Sequence, residues 1–363
     1  MEDENLIDLR NVLLIGFLTK QIMNKVLVTG GTGYIGSHTV VELIKAGFDV
    51  VIIDNFSNSD ISVLDGIEQI TGYRPPFYQI DLKEKEELTD FFKHNPSIDS
   101  IIHFAAYKAV GESVEKPLKY YRNNLMSTLH LLECMADYEV KNIVFSSSCT
   151  VYGQPDKLPV DETAPIKEPL SPYGSTKQIS ERIIQDTTQS SDFIKGISLR
   201  YFNPIGAHPS ALIGEKPHGI PDNLLPFITQ TVLGLREELK VFGNDYDTPD
   251  GTAIRDYINV VDLAKAHVKA IQRMQNHQNK SEYEFFNVGT GRGNSVMEII
   301  KAFEKATGEP VNYKITDRRS GDVEQVYADT SYANNELGWK AEISLEETLR
   351  SAWNWEKYIR NKK

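Results

Sequence analysis

From Lys25 onward, short apolar runs alternate with stretches whose apolar residues recur at helical spacing. "KVLVTG" (25–30) predicts a buried strand, "YIGSHTVVELIKAG" (34–47) an amphipathic helix closed by Gly47, and "DVVIID" (49–54) a second strand. "PFYQID" (76–81), "IDSIIHFA" (98–105) and "NIVFSSS" (142–148) predict further strands, separated by helices over 84–93 and 112–138. "GISLRYFN" (196–203) predicts a sixth strand. These runs are too apolar for a sheet with one wet face, so they imply parallel strands covered by helices on both sides.

After Asn203 the rhythm breaks. Residues 204–225 are loop-like and rich in proline and glycine. Beyond them "LKVFG" (239–243), "AIRDYINV" (253–260) and "EFFNVG" (284–289) predict short strands mixed with helices. Ser295 and Glu298 form a capping-box pattern that opens a helix over 295–307. The first 22 residues stand outside this pattern. Their apolar stretch "NVLLIGFLTK" (11–20) is shorter than the roughly 20 residues of a membrane span. Its flank "MEDENLID" is acidic where a secretory signal is basic. Residues 1–22 are therefore read as an extension with no assigned function.

Composition narrows the classes. With a net charge of −12 over 363 residues, nucleic acid and anionic membrane are not expected partners. Cys134 and Cys149 are the only cysteines, which excludes a disulfide framework and fits a reducing, cytoplasmic setting. The eight histidines show no ligand spacing, so no metal site is expected. His38 and His103 fall within apolar segments and read as structural.

"TGGTGYIGS" (29–37) ends the first strand and opens the first helix, with glycines at 30, 33 and 36. Gly30 permits the tight turn, Gly33 lets the backbone approach a pyrophosphate, and Gly36 allows close helix–strand packing. The helix N-terminus supplies amides and a positive dipole end to phosphates. Asp54, ending the second strand, suits the adenosine ribose hydroxyls and repels a 2′-phosphate, so NAD is favoured over NADP. The expected architecture is α/β. A Rossmann-type doubly wound parallel sheet over 23–203 is followed by a smaller mixed α/β substrate-binding domain over 204–363, with segments returning to the first.

Ser148 ends a strand at the sheet edge where ligands bind. In "SPYGSTK" (171–177), Tyr173 and Lys177 lie one helical turn apart and share a face. A helix start with Pro172 in its first turn explains the stretch equally well when taken alone. The glycine turn and the strand-end serine favour a catalytic trio. A tyrosine with pKa near ~10 needs about 4 kcal/mol to serve as a base at neutral pH. Lys177 and a nicotinamide cation supply roughly 3 kcal/mol each at ~6 Å and an effective dielectric of ~20.

Through "TGGTGYIGS" and the Tyr173–Lys177 pair, the chain resembles the extended short-chain dehydrogenase/reductase family. From about residue 24 to about 360 it is similar to that family's branch of UDP-sugar 4-epimerases. The similar stretches include "HFAAYKAVGESVEKPLKYY", "FSSSCTVYG", "RYFNPIGAHPS", "GIPDNLLP" and "FGNDYDTPDGTAIRDYI". The resemblance implies interconversion of UDP-galactose and UDP-glucose through a 4-keto sugar, with NAD tightly held and regenerated at each turnover. It assigns Ser148, Tyr173 and Lys177 to catalysis. Tyr34 and Ile35, with Asp54, Asn55, Phe56, Ser57, Asn58 and Ser59, would hold the adenosine half, flanked by Asp81 and Leu82. Phe104, Ala105, Ala106, Lys108 and Asn123 would line the cofactor path, and Phe202 would meet the nicotinamide. Asn203, Asn223 and Leu224 would contact the UDP-sugar, Val241 and Phe242 the uracil, and Arg255 and Arg319 the diphosphate. Asp322 and Val326 complete the substrate side. A homodimer through helices near 112–138 and 174–190 is implied as well.

Two refinements follow from the resemblance. Nucleotide-sugar dehydratases carry acids after the strand-end residue, whereas Cys149 and Thr150 follow Ser148 here, which disfavours dehydration. Val326 stands where relatives carry either tyrosine or a small residue, and a small residue is associated with room for an N-acetyl group. A UDP-glucuronate decarboxylase and a non-catalytic NAD sensor fit less well, the latter because the Tyr/Lys pair is kept.

Overall fold

The computed structural model describes residues 24–318 and 323–361. The expected extension at 1–22 lies outside the described residues. Seven strands form one fully parallel sheet: β1 (Lys25–Thr29), β2 (Asp49–Asp54), β3 (Phe77–Gln79), β4 (Ile98–His103), β5 (Asn142–Ser148), β6 (Lys195–Tyr201) and, much later in the chain, β10 (Tyr283–Val288). Their spatial order is β10-β6-β5-β4-β1-β2-β3. The order reverses on either side of β1, the doubly wound arrangement in which ligands bind beyond the carboxyl ends of the strands. One apolar core lies beneath α1 (Tyr34–Lys45), α2 (Ser62–Thr71) and α8 (Val260–Gln275), the other beneath α3 (Lys85–His94), α5 (Pro117–Asp137) and α6 (Pro172–Ser190).

The remaining strands build smaller sheets. β9 (Ile254–Asn259) pairs in parallel with β7 (Asn203–Ile205) and β13 (Gln325–Val326), and antiparallel with β11 (Gly293–Ser295). β8 (Leu239–Phe242) and β12 (Tyr313–Thr316) form a two-stranded parallel ribbon. Helices α7 (Leu224–Val232), α9 (Val296–Thr307) and α10 (Leu345–Asn361) enclose a further apolar core with them. The capping box at Ser295 and Glu298 is formed in both directions.

Three expectations are corrected. The helix expected over 112–138 is two, α4 (Val110–Glu115) and α5, because Pro117 forces Lys116 out of the helical region to φ −130°, ψ 56°. The strand expected over 196–203 stops at Tyr201, and the chain changes sheet at the buried Phe202 to enter β7. The strand expected over 76–81 is an edge of three residues, since Asp81 turns the chain by accepting the Lys83 amide at 3.1 Å. His38 and His103 are buried as expected, their Nδ1 atoms bonded to the Tyr34 carbonyl and to Thr29 Oγ1, each at 2.8 Å. Among the described residues no helix is long and apolar enough to cross a membrane.

Candidate active site

The glycine turn is shaped by contacts that only glycine permits. Gly30 adopts φ +71°, and a Cβ on Gly36 would stand 2.1 Å from the Gly30 carbonyl oxygen. Gly33, the cap position of α1, brings no side chain over the helix end. A narrow, uncapped helix terminus beside a glycine turn suits a pyrophosphate. Asp54 organises the neighbouring loop: its carboxylate accepts the Thr32 amide at 3.2 Å, the Phe56 amide at 2.9 Å and the Ser59 hydroxyl at 3.4 Å. Asn55 donates to Asp81 at 3.2 Å, and Phe56, at φ +57°, stacks on Phe77. Ser57 and Asn58 are exposed at the loop tip. Ile35 packs against one apolar core and Leu82 lies in the other. Tyr34 crosses to donate to the Gly206 carbonyl at 2.7 Å.

The loop after β4 closes over the sheet edge. Phe104 follows the strand, its ring against His267, and Ala105 and Ala106 line a small cavity with Asn124, Phe145, Thr176 and Lys177. Asn123 leans on Asn124 at 3.1 Å. Asn124 is a site residue that sequence reasoning missed. Its side chain accepts the Tyr107 amide at 2.9 Å, and donates to the Tyr107 carbonyl at 3.1 Å and to Thr176 at 3.0 Å. It thereby staples this loop to α6. The only signal was an asparagine buried in mid-helix, where such a residue has little reason to be.

Ser148, Tyr173 and Lys177 come together at the carboxyl edge of β5. Ser171 caps α6 by accepting the Gly174 amide at 3.2 Å, which starts the helix at Pro172, one residue before Tyr173. Lys177 points back under the strand end and donates to the Ser146 carbonyl. Its ammonium lies 4.7 Å from the centroid of Phe145 and 5.8 Å from that of Tyr173. Ser148 accepts the Thr150 amide at 3.2 Å. Burial pushes the Tyr173 phenol up to about 12, against a hydrogen bond from Ser148 that draws it down. Burial lowers Lys177 to about 7, against the attraction of Glu181. Glu181, one turn further along α6, is itself held by Ser147 at 2.5 Å and by a two-pronged contact from the buried Arg200.

Facing the trio, Phe202 and Val326 pack with Val151, Tyr152 and Val160 in one apolar cluster, with Cys149 at its edge. Val326 pairs with Arg255 across β13 and β9. The Arg255 guanidinium donates to the Ile254 carbonyl at 2.8 Å and draws down the Cys149 thiol, which burial nevertheless pushes up to about 12. Asn203 stands in β7 beside this cluster, while Asn223 and Leu224 open α7. Val241 is buried in the outer core, and Phe242, next to it on the β8 ribbon, is 39% exposed. Arg319 and Asp322 lie outside the described residues. Among the described residues no cluster of His, Cys, Asp and Glu is set to hold a metal.

The family model described as GDP-mannose 4,6 dehydratase matches residues 27–352, which sets the chain among the extended short-chain dehydrogenases/reductases. Within that class, the chain is 50% identical over 332 residues to a UDP-glucose 4-epimerase of Haemophilus influenzae, covering 92% of this chain and 97% of the relative. It superposes with TM-score 0.90 and 47% identity on the crystal structure of UDP-glucose-4-epimerase from Stenotrophomonas maltophila with bound NAD and formylated UDP-arabinopyranose, over 94% of this chain and 100% of that one. The UDP-glucose 4-epimerase from Bifidobacterium longum, in complex with NAD+ and UDP, matches with TM-score 0.89 and 48% identity over 93% and 99% of the two chains. The chain belongs to the UDP-glucose 4-epimerase family.

Lys177 carries a measurable consequence. The unfolded chain holds the lysine proton up to its ordinary pKa of 10.5, the native protein only to about 7. Between those values the unfolded state binds more protons, so stability rises with pH across the window. At and below pH 7 the burial costs about 5 kcal/mol at most. Lys177→Met is expected to lose activity by about 100-fold or more. At pH 7 and equal cofactor content it should gain roughly 1–3 kcal/mol in stability, an advantage that shrinks toward pH 10. Urea unfolding of both proteins at several pH values checks this.

Proposed function

We propose that this chain is an NAD-dependent isomerase that interconverts UDP-galactose and UDP-glucose by inverting carbon 4 of the sugar. The observation that carries the reading is the half-buried Tyr173 paired with the buried Lys177 beside Ser148, at the carboxyl edge of a sheet whose first turn leaves room for a pyrophosphate. NAD fits the residues present: Gly30, Gly33 and Gly36 would admit the phosphates, and the Asp54 carboxylate would accept the ribose hydroxyls. When bound, it accepts a hydride from carbon 4 and gives it back.

The protein's groups handle the proton. Tyr173, as phenolate, takes the proton of the 4-hydroxyl, and Ser148 hydrogen-bonds the same oxygen while it becomes a ketone. The 4-keto sugar then turns about its diphosphate linkage to present its other face. Tyr173 then gives the proton back to the 4-oxygen, so the reaction closes with no net change in proton or oxidation state. Phe202 and the cluster around Val326 exclude water from the reacting face. A dehydratase reading has little support, because the residues after Ser148 are Cys149, a thiol kept neutral by burial, and Thr150. The reading also takes 23–203 as the cofactor-binding unit and 204–363 as the UDP-sugar unit, with β10 returned to the first.

Two finer points follow. Val326 is small and packs against Phe202, which supports acceptance of UDP-N-acetyl sugars alongside the plain ones. The exposed apolar residues Val114, Leu118, Met126, Leu129 and Ile179 on α4, α5 and α6 support a homodimer through these helices, Leu118 being 80% exposed.

Purified protein incubated with UDP-galactose, without added NAD, is expected to yield UDP-glucose; no 4-epimer even after NAD is supplied would overturn the reading. Val326→Tyr should lower activity on UDP-N-acetylgalactosamine about tenfold relative to UDP-galactose, and an unchanged ratio would remove the role given to Val326. In sedimentation, Leu118→Glu with Leu129→Glu should move the protein from twice 41.0 kDa to 41.0 kDa. A wild-type protein already at the single mass refutes the dimer.

A further inference from the structure

Glu215 lies in the segment between β7 and α7, and its surroundings differ from those of a surface carboxylate. Its side chain is only 12% exposed. One oxygen, Oε1, accepts from Lys108 Nζ at 3.3 Å and from Asn223 Nδ2 at 2.6 Å. The Glu215 carbonyl accepts Trp355 Nε1 at 2.8 Å, so α10 fixes the backbone from which the carboxylate projects. The next residue of the same segment is fastened to the first domain, where Lys216 meets Asp60 at 2.7 Å.

The two donors arrive from opposite sides. Lys108 ends the loop after β4, whose Ala105 amide stands where a Cβ on Gly30 would come within 2.8 Å. Asn223 occupies the cap position of α7, yet its side chain makes no cap bond. Asparagine is among the best helix caps, and its amide oxygen ordinarily turns back onto the first-turn amides. An ionised carboxylate accepts only from the NH2 group, so the bond to Glu215 commits that side chain in another direction. The first turn of α7 is left without an acceptor from its own cap residue.

We propose that Glu215 is a positioning residue for both nucleotides: it orients Lys108 on the cofactor side and prevents Asn223 from capping its own helix on the sugar side. Both groups then stay available to anionic oxygens of diphosphate ligands. Without Glu215, Asn223 turns onto the α7 amides and competes with the UDP-sugar, while Lys108 loses its fixed orientation. The inference rests on the function proposed above.

The test compares Glu215→Gln, Glu215→Ala, Asn223→Ala and the Glu215→Ala/Asn223→Ala double variant as purified holoenzymes. The readouts are the rate of NAD release after dilution, KM and kcat for UDP-galactose, and the melting temperature. Glu215→Gln keeps an acceptor for Asn223 but loses the charge facing Lys108. It should release NAD about fivefold faster, with KM within about twofold of wild type. Glu215→Ala should raise KM about tenfold, by more than kcat falls, and quicken NAD release as well. The double variant should show a KM no higher than the larger of the two singles, because both changes act through one side chain. Wild-type KM and NAD release in both Glu215 variants would overturn the proposal, as would multiplicative KM effects in the double variant. A wild-type protein that neither holds NAD nor epimerises would instead overturn the functional reading, and this proposal with it.

Discussion

Everything in this site depends on removing two ionisable groups from water at the edge of one strand. Burial alone works against both, raising the Tyr173 phenol to about 12 and lowering the Lys177 ammonium to about 7. A tyrosine at 12 is about 7 kcal/mol away from serving as a base at neutral pH. With its ammonium 5.8 Å from the Tyr173 ring centroid, a charged Lys177 would return roughly 3 kcal/mol at an effective dielectric of ~20, and the positive ring of oxidised NAD, bound at a comparable distance, would add a similar amount. The two together nearly cancel the burial cost. Under the proposed reaction, the base is thus competent when oxidised cofactor is in place and much weaker when it is not.

The fold supplies that environment through its topology. Parallel strands deliver Ser148 and the glycine turn to the same edge, and a capped helix start sets Tyr173 and Lys177 one turn apart above it. The buried Glu181–Arg200 contact ties α6 to β5 and β6 directly behind Lys177. Removing either partner would leave an uncompensated charge in a dry interior. The change of sheet at Phe202 then brings the β7–β9–β13 layer, with Val326, into one apolar cluster with Val151, Tyr152 and Cys149, directly after Ser148.

What was legible in the sequence was what depends on local chemistry. A strand, a glycine turn and a helix are each encoded over a few residues, so Gly30, Gly36, Asp54 and the Tyr173 helix could be placed before any coordinates. The Ser295–Glu298 box was legible for the same reason. Contacts between distant segments left no such trace. Nothing local says that Tyr283–Val288 becomes the seventh strand of the first sheet, or that Phe202 marks a change of sheet. Asn124 and Glu215 belong to no motif: Asn124 binds Tyr107, 17 residues away, and Glu215 binds Lys108, 107 residues away. The break at Pro117 was readable, but the helical pattern on both sides concealed it. That Val241 joins the outer core is another contact that no local signal announces.

The central claim is that Tyr173 becomes a base through positive charge placed around a buried phenol. It is tested most directly by titrating the phenolate absorbance of the protein minus that of its Tyr173→Phe variant, with NAD bound and with NAD removed. The account predicts a single phenolate forming within about one unit of pH 7 when NAD is bound, and roughly two or more units higher when it is absent. A tyrosine that titrates at the same high pH in both states would contradict it.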